Sequence, residues 1–176
     1  MPKFRLCAAI LAAILFAGNA AFAAGSHGGG HGKGHGLAFG EPGKAENVRR
    51  TIDVVMKDSF YEPKTIVVEA GETVRLRIVN KGELVHEFNL GTAKMHAAHR
   101  KEMMMMADRG VLEADRINHH MMKKGGMMHD DPNSVLLEPG RSGEIVWHFS
   151  NAMALEFACN VPGHYEAGMM GRVGFK

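Results

Sequence analysis

Near its C-terminal end the chain reads Cys159-Asn-Val-Pro-Gly-His164-Tyr-Glu-Ala-Gly-Met169, a Cys-x4-His-x4-Met pattern in a Pro- and Gly-rich stretch directly after a strand-forming run. A tight loop of this composition can turn a thiolate, an imidazole and a thioether towards one point. Far upstream, His86 follows the turn-forming Asn80-Lys-Gly82, in an extended segment able to lie beside that loop. Two imidazoles and a thiolate in a trigonal plane, with a weak axial thioether, are the ligand set of a type 1 copper site. Thiolate and thioether favour Cu(I), imidazole accepts Cu(II), and the trigonal compromise serves both. Zinc is the rival metal, but it prefers a closed tetrahedral set of Cys, His or carboxylates and seldom takes Met. Met170 adjoins Met169 and competes as the axial donor; the x4 spacing favours Met169, with Met170 facing outward at the start of the last strand. His148 alternates with the core-type residues Trp147 and Phe149, which makes it a surface position and not a ligand.

Such donors need a rigid frame, and the rest of the sequence supplies one. Thr73-Val-Arg-Leu-Arg-Ile-Val-Asn80 alternates strictly, with Val74, Leu76 and Ile78 on one face. Thr51–Met56, Thr65–Glu69, Leu84–Leu90, Ser134–Leu137, Gly143–Phe149, Ala154–Ala158 and Met170–Phe175 read as further strands, separated by Gly/Pro turns. Seven or eight short strands predict an all-β sandwich.

One stretch breaks the pattern. Thr92 to about Asp108 is rich in helix formers and free of Gly and Pro. It reads as a helix inside an insertion at about residues 91–132. On that helix Met95, His99, Met103 and Met106 form one stripe. A stripe can pack on the sandwich, but the four consecutive methionines Met103–Met106 cannot all face inward. The insertion continues with His119-His120-Met121-Met122 and Met127-Met128-His129, with few aliphatic residues beside them. Exposed thioethers of this kind suit further Cu(I), bound weakly and reversibly. The whole chain has 14 Met and 11 His against 2 Cys and 1 Trp, an excess of soft and imidazole donors that points the same way.

At the N-terminus, Lys3 and Arg5 precede an apolar run from Leu6 to Ala17 and the small-x-small Ala21-Phe-Ala23. This is the pattern of a secretory signal peptide over residues 1–23, cleaved after Ala23 or Ala24. The run is too short to span a bilayer, which takes about 20 residues, so no membrane span is expected after cleavage. Cys7 leaves with the signal, and Cys159 is then the sole cysteine in an oxidising compartment, the periplasm. Residues 24–45 form a Gly-rich segment with His27, His31 and His35, read as a flexible tail that either holds metal loosely or is a plain linker. The folded domain is expected over 46–176.

From about Val48 to Lys176 the chain resembles a cupredoxin of the plastocyanin/azurin superfamily. Phe60-Tyr-Glu-Pro63, Val68-Glu-Ala-Gly71-Glu-Thr-Val74, Val79-Asn80 and Val85-His86-Glu-Phe88 are similar to that family's N-terminal half. Cys159, His164 and Met169 match its ligand loop. In detail the chain is most similar to the periplasmic copper-resistance cupredoxins of Gram-negative bacteria with His/Met-rich additions. The resemblance implies a Greek-key β-barrel or sandwich, one type 1 copper on His86, Cys159, His164 and Met169, and either electron transfer or copper tolerance. Glu87 stands where many simple electron carriers have Asn, a departure that bears on the hydrogen bonds around the cysteine sulfur.

A net charge of +2, closer to neutral once Lys3 and Arg5 are removed, excludes an electrostatic case for nucleic acid or an anionic membrane. The additional His and Met favour copper tolerance over a mobile electron carrier serving a respiratory or oxidase partner, since a carrier needs one copper only. No enzyme activity is expected: one sandwich offers one mononuclear site, and no His-x-His pair is present for a second centre. The expected partners of this monomer are copper ions and a redox partner protein.

Overall fold

The computed structural model describes residues 36–127 and 131–176. The signal peptide expected over 1–23, the histidines His27, His31 and His35, and Met128 and His129 of the insertion lie outside the described residues.

Period-two alternation becomes two facing sheets. The strands are β1 (Gly40–Pro42), β2 (Arg50–Lys57), β3 (Phe60–Glu62), β4 (Thr65–Val68), β5 (Glu72–Asn80), β6 (His86–Gly91), β7 (Ser134–Leu137), β8 (Ser142–Phe149), β9 (Leu155–Ala158) and β10 (Met170–Phe175). Helices α1 (Ala93–Asp108) and α2 (His119–Lys124) lie between β6 and β7 in the chain. One sheet runs β1-β8-β5-β2-β3, the other β4-β10-β9-β6-β7. In the first, β5 sets Leu76 opposite Ile145 and Val74 opposite Trp147 of antiparallel β8, and all four side chains are buried. Between the sheets the aromatics interlock: Tyr61 meets Phe157 edge-on at 5.1 Å, and Phe157 stacks on Phe88 at 5.2 Å. Each large apolar side chain withdrawn from water this way contributes about 1.5–3 kcal/mol.

Two of the ten strands among the described residues lie outside the eight expected runs. β3 sits in the turn-rich Asp58–Pro63 segment, where Tyr61 is fully buried and its hydroxyl donates to the Glu87 carbonyl at 2.6 Å. β1 corrects the expected tail boundary at residue 45. Phe39 is buried with its ring 5.4 Å from Trp147, and Gly40 pairs with Phe149, so the chain joins the sandwich edge before residue 46. Burial of Phe39 and the pairing of β1 with β8 together offset part of the entropy lost on ordering this segment.

The insertion contains both helices. Thr92 caps α1 by accepting the Met95 N–H at 3.3 Å, and Asn118 caps α2 by accepting the Met121 N–H at 3.0 Å. The short α2 falls in the segment that carries His119-His120-Met121-Met122. On α1, Met103 and Met106 are buried, while Met104 and Met105 are about half exposed, at 48% and 50%. Every residue of β6 is buried, because the sandwich core covers one face and α1 the other. Among the described residues no helix is long and apolar enough to cross a membrane.

Candidate metal centre

Alternation along β6 and β9 decides which side chains meet. On β6, Phe88 and Leu90 point into the core, so His86 lies on that side and Glu87 and Asn89 on the side of α1. On β9, Leu155 and Phe157 point inward, and Cys159 continues that series just past the strand end. The two strands are antiparallel, with Asn89 opposite Ala158 and Leu90 opposite Phe157. Continued by two residues, that register sets Glu87 against Asn160, and His86 and Cys159 come together at one end of the sandwich.

The loop from Cys159 to Met169 returns the chain to β10 and carries His164 with it. It closes on itself: the Cys159 N–H donates to the Met169 carbonyl at 3.1 Å, and the Met169 N–H to the His164 carbonyl at 3.0 Å. Gly168, at φ +91°, takes the left-handed conformation this return requires. Met169 is buried in the core cluster, whereas Met170 is half-buried and opens β10 opposite Ala158.

Three donor atoms converge. Nδ1 of His86 lies 3.2 Å from Nδ1 of His164, and Cys159 Sγ lies 3.3 Å from His164 Nδ1 and 3.9 Å from His86 Nδ1. The point equidistant from these atoms is about 2 Å from each, the metal–nitrogen distance of imidazole ligation. A shared cation reconciles two imidazole nitrogens and a sulfur aimed at one centre. The donor set, two imidazoles and a thiolate with a thioether in the same loop, fits copper before other transition metals. His148 stands apart on β8, with Nδ1 3.1 Å from Thr73 Oγ1.

The groups around the donors prepare them. Nε2 of His86 donates to Asp58 Oδ1 at 2.8 Å, which fixes the ring and leaves Nδ1 as the unprotonated nitrogen facing the site. Asp58 also accepts the Glu83 and Leu84 N–H groups, at 3.1 and 3.3 Å. Burial would push its carboxyl up, but His86 and these two amides outweigh it and hold the group below its ordinary value. Burial lowers His86 against the pull of Asp58, and burial together with the facing His86 lowers His164. Both rings are therefore neutral at neutral pH, as metal ligation demands. Burial pushes the Cys159 thiol up to about 12, although the Glu87 N–H, 3.3 Å from Sγ, favours the thiolate. A buried sulfur of this kind becomes a thiolate at neutral pH when a cation supplies the opposite charge.

Sequence reasoning singled out His86, Cys159 and His164, which the structure brings together, and missed the groups around them. Asp58 was legible only as part of a turn, since nothing local ties it to a histidine 28 residues on. Glu87 was noted as a departure from Asn, and its backbone N–H does reach the cysteine sulfur. Its carboxylate is buried and bonded to His99, Ser134 and Asn160. The bonds from α1 to this region had no sequence signal beyond the histidines themselves.

A family model described as a cupredoxin-like domain matches residues 7–116, a span that includes His86 and stops before Cys159. The copper-resistant cuproprotein CopI of Pseudomonas aeruginosa is 50% identical over 147 residues, covering 77% of this chain and 81% of that protein. The copper-resistant cuproprotein CopI of Rubrivivax gelatinosus is 44% identical over 136 residues, covering 77% and 72%. Among solved structures, auracyanin B superposes with a TM-score of 0.57 at 22% identity, over 78% of this chain and 96% of that one. An azurin from Methylomonas sp. strain J gives 0.51 at 17% identity, over 73% and 99%. These two likenesses show the fold.

Proposed function

The chain belongs to the cupredoxin family, and from that membership we propose that it is a periplasmic copper-binding protein of copper tolerance, holding one type 1 copper through His86, Cys159, His164 and Met169. The observation that carries this reading is the convergence of His86 Nδ1, His164 Nδ1 and Cys159 Sγ on one centre, with Met169 buried at the end of the same loop. Relatives named for copper resistance support the physiological part.

Copper bound there would supply a one-electron couple between Cu(I) and Cu(II). The chain's own residues do the rest. Asp58 orients His86, and the Glu87 N–H steadies the sulfur. The core residues keep water from Cys159, which is fully buried, and so protect the thiolate from oxidation. In the insertion, the exposed Met104, Met105 and Met121 offer thioethers for further, weakly held Cu(I).

A second reading, a mobile electron carrier, has one observation in its favour: His164 is only part-buried, so its ring edge offers an electron path to a docked partner. Two experiments test the first reading. Cu(II) added to the purified protein should give intense visible absorption from thiolate-to-copper charge transfer, and Cys159→Ser should abolish it; retained colour would refute the site. A strain lacking the protein should be copper-sensitive and rescued by the wild-type gene. Unchanged tolerance together with a respiratory defect would favour the carrier.

A further inference from the structure

Helix α1 touches the surroundings of the metal centre with one face. His96, His99 and Arg100 are spaced three and four residues apart, the spacing that puts side chains on one side of a helix. His99 Nε2 donates to Glu87 Oε1 at 2.8 Å. His96 Nδ1 accepts from Asn160 Nδ2 at 3.2 Å. The Arg100 guanidinium lies over the Tyr165 ring, 4.2 Å from its centroid, and Nε is 3.2 Å from Glu166 Oε1. Glu87, Asn160 and Tyr165 each adjoin a donor in sequence: His86, Cys159 and His164.

Glu87 is where these links meet. It is 2% exposed, and its carboxylate is engaged on both oxygens. Oε1 accepts from His99 and from Ser134 Oγ, the latter at 2.7 Å; Oε2 accepts from the backbone N–H of Asn160 at 3.2 Å and from its Nδ2 at 2.8 Å. The backbone N–H of Glu87 points the other way and donates to Cys159 Sγ at 3.3 Å. One residue therefore grips the sulfur through its amide and the next residue's amide through its side chain. A carboxylate buried this deeply is strongly disfavoured without a cation and donors, and α1 brings the cation.

We infer that α1 braces the metal centre: its His99 holds the Glu87 carboxylate, and with it the Asn160 amide and the Glu87 N–H that faces the Cys159 sulfur. The inference rests on the reading of Cys159 as a copper ligand. It makes the first helix of the insertion a brace for the metal centre. An amide that donates to a thiolate draws electron density from the sulfur, so the fixed position of Glu87 sets how strongly that sulfur binds.

Glu87→Ala, Glu87→Gln and His99→Gln in the full chain test this in two measurements. In the metal-free protein, amide hydrogen exchange at Asn160 should speed up about tenfold or more in Glu87→Ala, the effect of losing one charge-assisted hydrogen bond. It should speed up less in His99→Gln, and least in Glu87→Gln, which keeps an acceptor oxygen. In the protein loaded with Cu(II), Glu87→Ala should shift the thiolate-to-copper band and weaken Cu(II) binding about 10- to 100-fold. Glu87→Gln should recover most of both. A purely structural role would lower the melting temperature of Glu87→Ala with the band and the affinity unmoved, and that result overturns the inference, as does unchanged exchange at Asn160. If Glu87→Ala does not fold, His99→Gln decides by the same two readouts. A wild type that takes up copper with no charge-transfer band refutes Cys159 as a ligand and removes the basis of the inference. A wild-type band and an Asn160 exchange rate that His99→Gln leaves unmoved refute the inference alone.

Discussion

Asp58 and His86 meet across a gap that a glycine leaves open. The Nε2–H of His86 reaches Asp58 Oδ1 at 2.8 Å, and a Cβ built on Gly82 would stand 2.3 Å from that oxygen and 2.9 Å from Nε2. The His86 ring is thus oriented by a carboxylate from the β2–β3 turn, and the contact depends on the absence of a side chain at position 82.

Asp58→Ala and Gly82→Ala should both weaken Cu(II) binding about 10- to 100-fold, the usual cost of removing a partner that orients a metal-ligating histidine. Asp58→Asn, which keeps an acceptor oxygen, should fall between them and the wild type. Competition against a chelator of known affinity measures all three. Wild-type affinity in Asp58→Ala would mean that the packing around His86 orients the ring without the carboxylate.

If Met169 supplies the axial thioether, its replacement should act on potential more than on binding. Met169→Leu should keep copper and colour and raise the reduction potential, because a weak electron donor to Cu(II) is lost. Met170→Leu should do little, since Met170 opens β10 and is half-buried outside the loop. A redox titration of the two variants separates them, and exchanged outcomes would make Met170 the axial ligand.

The Glu87–His99 pair gives the metal-free protein a pH dependence of stability. Burial alone would lower His99, but Glu87 on β6 and Glu102 on α1 face it and raise it to about 9. For Glu87, burial would raise the carboxyl, and His99, Asn160 and Ser134 together hold it below its ordinary value. A histidine raised on folding stabilises fully below its unfolded value, about 6.5, and that contribution is lost as pH climbs through the folded value. Urea unfolding should therefore show stability falling by on the order of 2–3 kcal/mol between pH 6.5 and pH 9. His99→Gln should be less stable at pH 6.5 and nearly flat over the same window. An equal slope in both proteins would assign the pH dependence to other groups.

The four consecutive methionines of α1 should divide into two classes. Met103 and Met106 are each 1% exposed and belong to the core, so Met103→Ala or Met106→Ala should cost about 2–5 kcal/mol. Met104→Leu with Met105→Leu should change stability by less than about 0.5 kcal/mol. If the insertion holds soft metal, this second pair should lower the Cu(I) taken up beyond one equivalent under reducing conditions. A stoichiometry of one copper under both oxidising and reducing conditions would remove the metal role of the insertion, and with it the main reason to prefer copper tolerance over electron transport.

The strands were legible wherever alternation was strict, as in Thr73–Asn80. The Cys159–Met169 loop stood out because Cys, His and Met at fixed spacing have few other uses, and the structure brings its Cys159 and His164 together with His86. β3 was not, because Tyr61 is one aromatic in a turn-rich segment and its burial depends on Phe88 and Phe157, far along the chain. The end of the tail at Phe39 was hidden for the same reason. Asp58, and the links from Glu87 to His99 and Asn160, belong to pairings between distant segments. Local periodicity says nothing of those until the register of β6 on β9 is known.

That register also fixes an order of events. His86 and Cys159 are separated by 73 residues and come together only when β6 lies against β9. Closing so long a segment is slow and entropically costly, so contacts of this kind form late. A folding chain must therefore bring β6 against β9 before these two side chains can act on one ion. Until then its histidines and methionines can hold copper only loosely, as isolated donors. Once the site forms, its tighter hold on the metal favours the folded state and retards its opening. The resistance of the folded chain to opening then follows the copper supply.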